Sequence, residues 1–422
     1  MKKIAFTTFG CKTNHYDSDL MAQACLRAGL KVVSAKEQAD IYVINTCTVT
    51  AAADAQARNI VRRFVKQNPQ AKIIVCGCSS ELWPQEYQNI QGVDQVLGVR
   101  SVEELIKLLD SRFRGNDKIG GNPGDSHFRG NDKPRRDDSA VQHRARAFLK
   151  IQDGCDNSCA YCIIPQARGK SRSVLSQYLE TELQQLLAEG FQEIILTGIH
   201  IGRYGQDLQP KVSLPSLINK LLKQQGDFQL RLSSLDPDEL NNELIELLKH
   251  PRVCRHLHLS LQSGSDEVLR LMNRKTGVAE LINKLETIKK EIQGLAIGAD
   301  IIVGFPRETE ELFQETKTLL NRLPLSYLQV FPYSIRPGTL ASTMLGQISD
   351  KIKKERAKEL REISEEKKKK FYQSQVGKKV RAIVISKKPN KDGCWKVISD
   401  NYLTLFIKSK ELKYKQLIYL EE

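Results

Sequence analysis

The sequence has no long hydrophobic run. None of its apolar stretches approaches the roughly 20 residues that a membrane-spanning helix needs. The amino terminus has too short an apolar stretch for a secretory signal peptide, because Gly10 and Cys11 follow the first strand-like residues at once. We therefore expect a cytoplasmic protein that does not engage membranes.

The chain is also poor in acidic residues relative to basic ones. It has 50 Asp and Glu against 65 Lys and Arg, a formal net charge of +15, which favours a polyanionic partner and most simply nucleic acid. Its 422 residues are enough for about two to three domains. Its ten cysteines, in a chain expected to be cytoplasmic, are predicted to be metal ligands or buried thiols rather than disulfides.

Three of these cysteines stand close together, as Cys155, Cys159 and Cys162. The motif Cys-x-x-x-Cys-x-x-Cys differs from zinc motifs, which normally combine a cysteine pair with a second pair elsewhere. A zinc site or three unrelated buried cysteines is the alternative. Three thiolates can bind three irons of a [4Fe–4S] cluster and leave the fourth iron without a protein ligand. The motif therefore predicts a cluster whose open iron binds a substrate.

The first 110 residues alternate between strand-like and helix-like patterns. Short apolar runs rich in β-branched residues predict buried parallel strands at Ile4–Thr8, Ile41–Asn45 and Ile73–Cys76. Helical spacing recurs near residues 18–29, 51–67 and 101–110. We predict a small doubly wound α/β domain over residues 1–110.

A second set of cysteines follows these strands. Cys11, Cys47 and Cys78 each lie one to three residues beyond the end of a predicted strand. The carboxyl ends of parallel strands share one edge of a sheet, so we expect the three thiols to converge there and to fit a second cluster with one open iron. Cys76 competes with Cys78 as a ligand, and Cys78 is preferred because it lies further into the turn, after Gly77. Three buried structural cysteines are the alternative.

Residues 111–140 have few aliphatic side chains and are rich in Gly, Asn, Asp and Arg. Residues 111–118 recur with one change at residues 126–133. Such a composition buries too little apolar surface to offset the entropy of ordering. We expect a disordered, repetitive insertion in a linker, with an RNA-binding arm as the alternative.

A second alternation of strands and helices occupies residues 141–370. Candidate strands lie at Phe148–Gln152, Glu193–Thr197, Gln229–Ser233, His256–Leu261, Gly298–Val303 and Tyr327–Phe331. Six successive βα units predict an open, partial barrel rather than full eight-unit closure. His256 and His258 alternate along one strand and are expected to be packed or solvent-facing. Residues 350–370 predict a charged, solvated connecting helix.

Residues 371–422 predict a small β-barrel, with strand-like runs at Val380–Ile385, Trp395–Ile398 and Leu403–Ile407. They carry 11 Lys and Arg against 5 Asp and Glu, a net charge of +6. We predict RNA phosphate contacts from Lys378, Lys379, Arg381, Lys387 and Lys388. Trp395, Tyr402 and Phe406 either stack on bases or fill the core, with core filling expected for at least two of them.

The motifs resemble a known family. Cys155, Cys159 and Cys162, followed by Ile163-Ile164-Pro165 and Ala167-Arg168-Gly169, resemble the radical SAM superfamily. The segments around Cys11, Cys47 and Cys78 resemble the methylthiotransferases, radical SAM enzymes with two [4Fe–4S] clusters. The likeness covers nearly the whole chain except residues 111–140, and residues 371–422 resemble the RNA-binding TRAM domain. Residues 14–16 and 399–402 are most similar to the branch that acts on threonylcarbamoyladenosine in tRNA.

This resemblance implies a reaction and its cofactors. The cluster at Cys155, Cys159 and Cys162 would cleave S-adenosylmethionine reductively, and the resulting radical would remove the unactivated adenine hydrogen. The auxiliary cluster at Cys11, Cys47 and Cys78 would present the sulfur, and two S-adenosylmethionine molecules would be used per product. The implied activity is conversion of N6-threonylcarbamoyladenosine-37 of tRNA to its 2-methylthio derivative, with an electron donor that the sequence does not identify.

Three alternatives stay open. They are an isopentenyladenosine-37 methylthiotransferase, a methylthiotransferase for an aspartate of a small-subunit ribosomal protein, and a non-catalytic iron–sulfur RNA-binding protein.

Small or polar residues at the carboxyl ends of the barrel strands are predicted to bind S-adenosylmethionine, where small side chains let a cofactor approach the backbone. These residues are Thr197, Gly198, Ser233, Ser234, Gln262 and Gly304. Ordinary turn chemistry is the other explanation for them.

Overall fold

The computed structural model describes residues 1–99, 104–105, 144–275, 277–409 and 411–421. The predicted insertion at 111–140 and nearly all of the predicted helix at 101–110 lie outside the described residues. The chain divides into two compact units. Unit 1 consists of Met1–His143 and Ile163–Gly169, and unit 2 of Arg144–Cys162 and Lys170–Glu422. The predicted division into residues 1–110, 111–140, 141–370 and 371–422 stays a prediction.

Unit 1 contains a five-stranded parallel sheet in the order β2-β1-β3-β4-β5. Its strands are β1 (Lys3–Thr8), β2 (Lys31–Val33), β3 (Ile41–Thr46), β4 (Lys72–Gly77) and β5 (Gln95–Val96). Its helices are α1 (Lys12–Arg27), α2 (Ala51–Gln67), α3 (Cys78–Leu82), α4 (Pro84–Gln88) and α5 (Ile164–Arg168). The three predicted strands are confirmed. The sequence did not indicate β2 and β5, because runs of three and two residues carry no readable period.

Helices cover both faces of this sheet. Met21 and Cys25 of α1 pack into one core, and Val61 and Phe64 of α2 pack into the other. The doubly wound arrangement is therefore confirmed. The strand order reverses between β1 and β3, and in open parallel sheets ligands bind beside the carboxyl ends of the strands at such a point.

Unit 2 contains six parallel strands that form the predicted partial barrel. The strands form two sheets of three, in the orders β6-β9-β10 and β11-β12-β13. Two parallel bridges join the sheets: Leu230 of β10 pairs with Val253, just before β11, and Leu235, just after β10, pairs with Leu259 of β11. A short antiparallel pair, β7 with β8, follows the first strand. The bounds are β6 (Ala147–Lys150), β7 (Gln152–Asp153), β8 (Arg172–Ser173), β9 (Glu193–Thr197), β10 (Gln229–Leu232), β11 (His256–Gln262), β12 (Ala296–Val303) and β13 (Tyr327–Pro332).

Helices follow the barrel strands and bury apolar side chains either in the barrel core or in a second cluster that contains Val268 and Ala341. They are α6 (Ser176–Ala188), α7 (Leu214–Leu222), α8 (Asn242–Leu247), α9 (Asp266–Leu271), α10 (Val278–Glu291), α11 (Glu310–Arg322), α12 (Leu340–Thr343) and α13 (Asp350–Gln375), with short 3-10 turns at Ile201–Arg203 and Pro237–Glu239. Within the described part of the chain, no helix is both long enough and apolar enough to cross a membrane.

The charged helix α13 extends beyond the predicted residues 350–370 and is less solvated than expected. Ala357 and Leu360 are fully buried in the barrel core. The Ser364 hydroxyl accepts a hydrogen bond from the backbone N–H of Leu328 at 2.9 Å. One face of α13 is therefore part of the barrel packing rather than a solvated connector.

The last strands form a four-stranded antiparallel sheet where the sequence predicts a small β-barrel. The order is β16-β15-β14-β17. The strands are β14 (Lys379–Val384), β15 (Cys394–Ser399), β16 (Thr404–Lys408) and β17 (Leu417–Glu421), of which β17 was not predicted. Trp395 packs against the core of this sheet, whereas Phe406 is 62% exposed and Tyr402 packs outside that core. The expectation that at least two of these aromatic residues fill the core is wrong.

A turn after β15 inserts against the barrel. The fully buried Arg231 binds Glu193 through two N–H groups, at 2.8 and 3.2 Å. The same guanidinium donates to the backbone carbonyls of Ser399 and Asp400, both at 3.0 Å. Burial alone would raise the pKa of the Glu193 carboxyl, but Arg231 outweighs this effect and holds the pKa below its usual value.

A chain of polar side chains continues from this turn into the barrel. The Tyr402 ring stacks on His256 with ring centroids 4.4 Å apart. The Tyr327 hydroxyl lies 2.8 Å from His256 Nε2 and 2.9 Å from His258 Nδ1, and His258 Nε2 lies 2.9 Å from Asp300 Oδ1. Both histidines are buried, so of the two placements expected from the sequence, packed or solvent-facing, the structure shows the packed one.

The Arg231–Glu193 pair should contribute strongly to stability. Arg231→Ala removes the closest cation from a buried carboxylate, which keeps only Gln229 at 2.8 Å and Arg146 at 3.4 Å, and it removes one donor from each of two buried carbonyls. We therefore expect the free energy of unfolding to fall by about 3–5 kcal/mol. Urea denaturation followed by circular dichroism measures this loss. Arg270→Ala is the matched control, because Arg270 and Glu267 form a surface pair at side-chain exposures of 70% and 47%, and we expect no measurable change. Equal effects of the two substitutions would contradict this assignment.

The same pair predicts a pH dependence. The folded-state pKa of Glu193 lies below its unfolded value, so its contribution is fully present above the unfolded pKa of about 4.3 and is lost as pH falls through the folded pKa. The stability difference between the wild type and Arg231→Ala should therefore shrink in acid.

Candidate metal centres

The thiols of Cys11, Cys47 and Cys78, here called the edge cysteines, follow the carboxyl ends of β1, β3 and β4 as predicted. Gly10 has φ +93°, and a Cβ there would lie 2.6 Å from the Cys47 sulfur. Gly77 has φ +100°, and its Cβ would lie 2.5 Å from a carbonyl oxygen of β3. Both turns therefore require glycine, which admits this backbone conformation and this close approach.

Asn14 lies between two of the edge cysteines. Its Oδ1 is 4.0 Å from Cys11 Sγ and 3.8 Å from Cys78 Sγ. Its Nδ2 donates to the backbone carbonyls of Phe9 and Thr46, both at 2.9 Å. The fully buried amide thus fixes the segments after β1 and at the end of β3 beside the thiols.

The edge cysteines also interact electrostatically. Burial raises the pKa of Cys47 to about 11 and that of Cys78 to about 12. These values already include two smaller effects of opposite sign, because the charge of Cys11 raises both pKa values and Arg168 lowers both. The contacts of Asn14 with Cys11 and Cys78, and of the Gly10 turn with Cys47, place the three thiols near one another. One buried cation, Arg168, opposes the cost of ionising Cys47 and Cys78.

Arg168 is the last residue of α5, and its side chain is directed at this site. Its Nε lies 3.3 Å from Cys78 Sγ. Its Nη2 donates to Asn14 Oδ1 at 2.6 Å and to Asp17 Oδ2 at 3.1 Å. Sequence reasoning missed this role, although Arg168 stands in the segment Ala167-Arg168-Gly169 that signalled the family.

Cys76 has a different environment from the edge cysteines. It is fully buried in the hydrophobic core that contains Ile4 and Met21. Cys78, by contrast, contacts the polar groups of Asn14 and Arg168. This difference supports the choice of Cys78 as the ligand.

The second site is the loop that carries Cys155, Cys159 and Cys162, here called the motif cysteines. All three are half-buried. The backbone N–H of Cys162 donates to the Cys159 carbonyl at 3.0 Å, which makes the loop turn between them. Cys155 Sγ lies 3.5 Å from His200 Nδ1 and accepts from the backbone N–H of Asn157 at 3.4 Å.

Charged side chains from the loop after β10 and from the turn after α9 brace this loop. Arg274 donates to both oxygens of Asp236 at 3.0 and 2.8 Å, and its Nη1 lies 3.7 Å from Cys159 Sγ. Asn157 donates to the same Asp236 carboxylate at 3.2 Å. Sequence reasoning did not find Asp236 or Arg274, since each lies far along the chain from the motif.

His200 is the second polar neighbour of the motif cysteines. Its Nε2 lies 2.6 Å from Glu239 Oε1. Burial lowers the pKa of His200, but hydrogen bonds to Cys155 and Glu239 outweigh burial and raise the pKa to about 10. Gln152 fixes the same loop, because its Oε1 accepts the backbone N–H of His200 at 2.8 Å while its Nε2 donates to the carbonyl of Gly154 at 2.7 Å.

The residues predicted to bind S-adenosylmethionine all lie at or just beyond carboxyl ends of barrel strands. They are Thr197 ending β9, Gly198 after it, Ser233 and Ser234 after β10, Gln262 ending β11 and Gly304 after β12. Gln262 has φ +70°, a strained conformation for a residue other than glycine. Their cofactor role stays a prediction.

The two glycines in this set have a structural reason of their own. A Cβ on Gly198 would lie 2.8 Å from the carbonyl oxygen of Gln152, and a Cβ on Gly304 would overlap the Lys353 side chain. The space that each glycine leaves is thus filled by protein atoms rather than left open for a cofactor.

Among the described residues, no three Cys, His, Asp or Glu side chains are arranged to hold a single metal ion. The cysteines of a [4Fe–4S] cluster each bind a different iron, so such a site does not require that arrangement. Two sets of three cysteines, each set within one compact unit, have the donor chemistry for two such clusters.

The predicted RNA-binding residues fall into two groups. Lys378, Lys379, Lys387 and Lys388 are exposed. Arg381 is half-buried, donates to the backbone carbonyl of Val253 at 3.3 Å and lies 3.8 Å from Asp400. Its guanidinium is therefore engaged within the protein.

Two family models and full-length relatives match this chain. Residues 149–320 match the family model described as "Radical SAM superfamily", and residues 3–98 match the model described as "Uncharacterized protein family UPF0004". The threonylcarbamoyladenosine tRNA methylthiotransferase MtaB of Aquifex aeolicus (strain VF5) is 37% identical over 407 residues, 96% of each chain. The protein of the same name from Bacillus subtilis (strain 168) is 38% identical over 416 residues, 97% of this chain and 91% of that one.

A solved structure agrees with the fold. The radical S-adenosylmethionine methyltransferase TsrM from Kitasatospora setae matches 81% of this chain and 75% of its own, with a TM-score of 0.58 and 14% identity. Identity this low supports the fold alone. The full-length relatives and the two matched families together show that the chain belongs to the radical SAM methylthiotransferases, enzymes that use S-adenosylmethionine and [4Fe–4S] clusters.

Proposed function

We propose that this enzyme transfers a methylthio group to N6-threonylcarbamoyladenosine-37 of tRNA. The observation that carries the proposal is the pair of triple-cysteine sites, within a chain that matches threonylcarbamoyladenosine tRNA methylthiotransferases over nearly its full length. The net charge of +15 is consistent with an RNA substrate.

The proposal gives the two sites separate roles. The motif cysteines hold the cluster that binds S-adenosylmethionine, and the edge cysteines hold the auxiliary cluster for the sulfur. When bound, these groups supply radical chemistry, which an unactivated adenine C–H requires and ordinary acid–base side chains cannot provide. The protein's own residues fix the thiols: Asn14 and Arg168 at one site, and His200 and Arg274 at the other.

S-adenosylmethionine would bind at the carboxyl ends of the barrel strands. That edge is where barrel enzymes place their active sites, and Gln152 and the pair Asp236–Arg274 already hold the motif loop there. The strained Gln262 at the end of β11 supports a binding role, because strain of this kind concentrates at functional sites. We propose the same role for Thr197, Ser233 and Ser234.

The test of the function is nucleoside analysis of tRNA from a strain that lacks the gene. We expect 2-methylthio-N6-threonylcarbamoyladenosine to disappear and N6-threonylcarbamoyladenosine to accumulate in its place. A plasmid with the wild-type gene should restore the product, and one with the motif cysteines changed to alanine should not. Loss of the methylthio derivative of isopentenyladenosine, or of a methylthio group on a ribosomal protein, would identify another branch of the family.

Residues 371–422 are proposed to contact tRNA phosphates remote from the modified base. Lys387→Gln with Lys388→Gln should weaken binding to many tRNAs to a similar degree, because phosphate contacts carry no sequence information. The plot of log affinity against log salt should become shallower by about one unit for each lysine that contacts a phosphate. Filter binding across a salt series measures both quantities.

A control of equal charge separates this effect from net charge. Lys354→Gln with Lys358→Gln removes two exposed lysines from α13 and should change affinity less and leave the slope near that of the wild type. An unchanged slope and affinity in the Lys387 and Lys388 variant would assign tRNA binding to other parts of the chain.

A further inference from the structure

Arg168 is a buried cation with an unusual partner. Its residue exposure is 2%, so its charge is removed from water and must be compensated within the protein. Asp17 supplies one carboxylate contact at 3.1 Å, and Asn14 supplies a neutral carbonyl at 2.6 Å. A third N–H, on Nε, is directed at the sulfur of Cys78 at 3.3 Å.

The contact with Cys78 distinguishes this arginine from a purely structural one. A neutral thiol is a weak acceptor, whereas a metal-bound sulfur carries the charge of a thiolate. A guanidinium N–H directed at an ionised sulfur is a charge-assisted hydrogen bond, which is about twice as strong as a neutral one. The geometry therefore fits a Cys78 that is ionised and bound to iron.

Asn14 holds the guanidinium in this orientation. Its side-chain N–H groups already donate to two backbone carbonyls, which directs its Oδ1 toward Arg168. Its own backbone carbonyl accepts from Asn45 Nδ2 at 2.9 Å, so the residue is fixed on both sides. Arg168 thus contacts the sulfur from a position that is set before any cluster binds.

We propose that Arg168 is a positioning residue that sets the reduction potential of the auxiliary cluster. Hydrogen bonds to cluster sulfurs and nearby charge are among the determinants of the potential of an iron–sulfur cluster. A positive charge beside the Cys78 sulfur stabilises the reduced form, which carries one more negative charge than the oxidised form. The inference rests on the proposed assignment of the edge cysteines as ligands.

Asp17 makes the proposal testable in both directions. Its carboxylate offsets part of the Arg168 charge, and the two side chains are nearly fully buried, at 7% and 1% exposure. Removing the arginine charge should make reduction harder, whereas removing the aspartate charge should make it easier. A residue that only braces the fold has no reason to produce shifts of opposite sign.

The experiment uses the full-length chain with the motif cysteines changed to alanine, so that the auxiliary cluster is the one that remains. The protein is reconstituted with iron and sulfide and titrated with dithionite while electron paramagnetic resonance follows the reduced cluster. Arg168→Gln should shift the one-electron reduction equilibrium at least tenfold toward the oxidised form, about 59 mV more negative. Arg168→Lys should give a smaller shift, because lysine keeps the positive charge but lacks the planar guanidinium that donates several hydrogen bonds at once.

Asp17→Asn should move the potential in the positive direction. Arg62→Gln is the matched control, since it removes an exposed arginine of α2 in the same unit, and the potential should not move. A normal iron content with an unchanged potential in Arg168→Gln would overturn the proposal. So would shifts of the same sign in Arg168→Gln and Asp17→Asn.

Two other outcomes are also decisive. If Arg168→Gln no longer binds iron, the test rests on the reduction potential of Asp17→Asn. The absence of a positive shift of that potential overturns the proposal. If the parent protein with intact Arg168 binds no iron, the assignment of the edge cysteines is wrong and this inference falls with it. Iron content therefore distinguishes failure of the assignment from failure of the role of Arg168.

Discussion

Changing the motif cysteines Cys155, Cys159 and Cys162 to alanine should abolish reductive cleavage of S-adenosylmethionine. Without their thiolates the loop after β7 has no ligands for a cluster, and the open iron that would bind S-adenosylmethionine is lost with it. The reconstituted wild type should hold about eight irons per chain and the variant about four, because each set of three cysteines can hold one cluster. Iron analysis and chromatographic detection of 5′-deoxyadenosine with dithionite as reductant measure the two effects.

Cys394→Ala provides the control for this variant. Cys394 is also a half-buried free cysteine, but it lies in β15, outside both sets. The control should keep about eight irons and normal cleavage. Cleavage that persists in the triple variant would contradict the assignment of the motif cysteines.

Changing the edge cysteines Cys11, Cys47 and Cys78 to alanine should have the converse effect. The motif loop is braced by residues of unit 2, such as Asp236 and Arg274, so cleavage of S-adenosylmethionine should continue. Transfer of sulfur to tRNA should stop, because the site proposed for the auxiliary cluster has lost its ligands. Mass spectrometry of tRNA nucleosides, beside the 5′-deoxyadenosine assay, separates the two activities.

Cys76→Ala tests the choice of ligand within this set. Cys76 lies in the hydrophobic core of unit 1, so its loss should cost some stability and leave the auxiliary cluster in place. Cys78→Ala should weaken or remove the cluster. If Cys76→Ala lost the cluster and Cys78→Ala kept it, the ligand would have been wrongly chosen.

The parts of the fold that the sequence predicted are those with local signals. The strands at Ile41–Thr46 and Glu193–Thr197 are continuous apolar runs, and the helix at Ala51–Gln67 has the spacing of a half-buried helix. Strands β2 and β5 are too short to show a period, and β17 was not predicted. Its place beside β14 depends on long-range pairing, which no single sequence displays.

The edge cysteines were predictable because topology alone brings them together. Parallel strands share a carboxyl edge, so three cysteines after three strands must approach one another. Arg168 was not predictable in this way, since its partners Cys78 and Asn14 lie 90 and 154 residues away along the chain. Arg381 is a different case, because its basic character indicated RNA, whereas its side chain donates to the backbone carbonyl of Val253.

The most direct test of this account is the product that the purified enzyme makes. Reconstituted wild-type protein is incubated with S-adenosylmethionine, dithionite and a tRNA that carries N6-threonylcarbamoyladenosine at position 37, and in parallel with a tRNA that carries isopentenyladenosine there. Nucleoside mass spectrometry should show a methylthio group on the threonylcarbamoyl nucleoside and none on the isopentenyl one. Methylthiolation of the isopentenyl nucleoside alone would contradict the proposed substrate, and cleavage of S-adenosylmethionine with no methylthio product on either tRNA would contradict the proposed function.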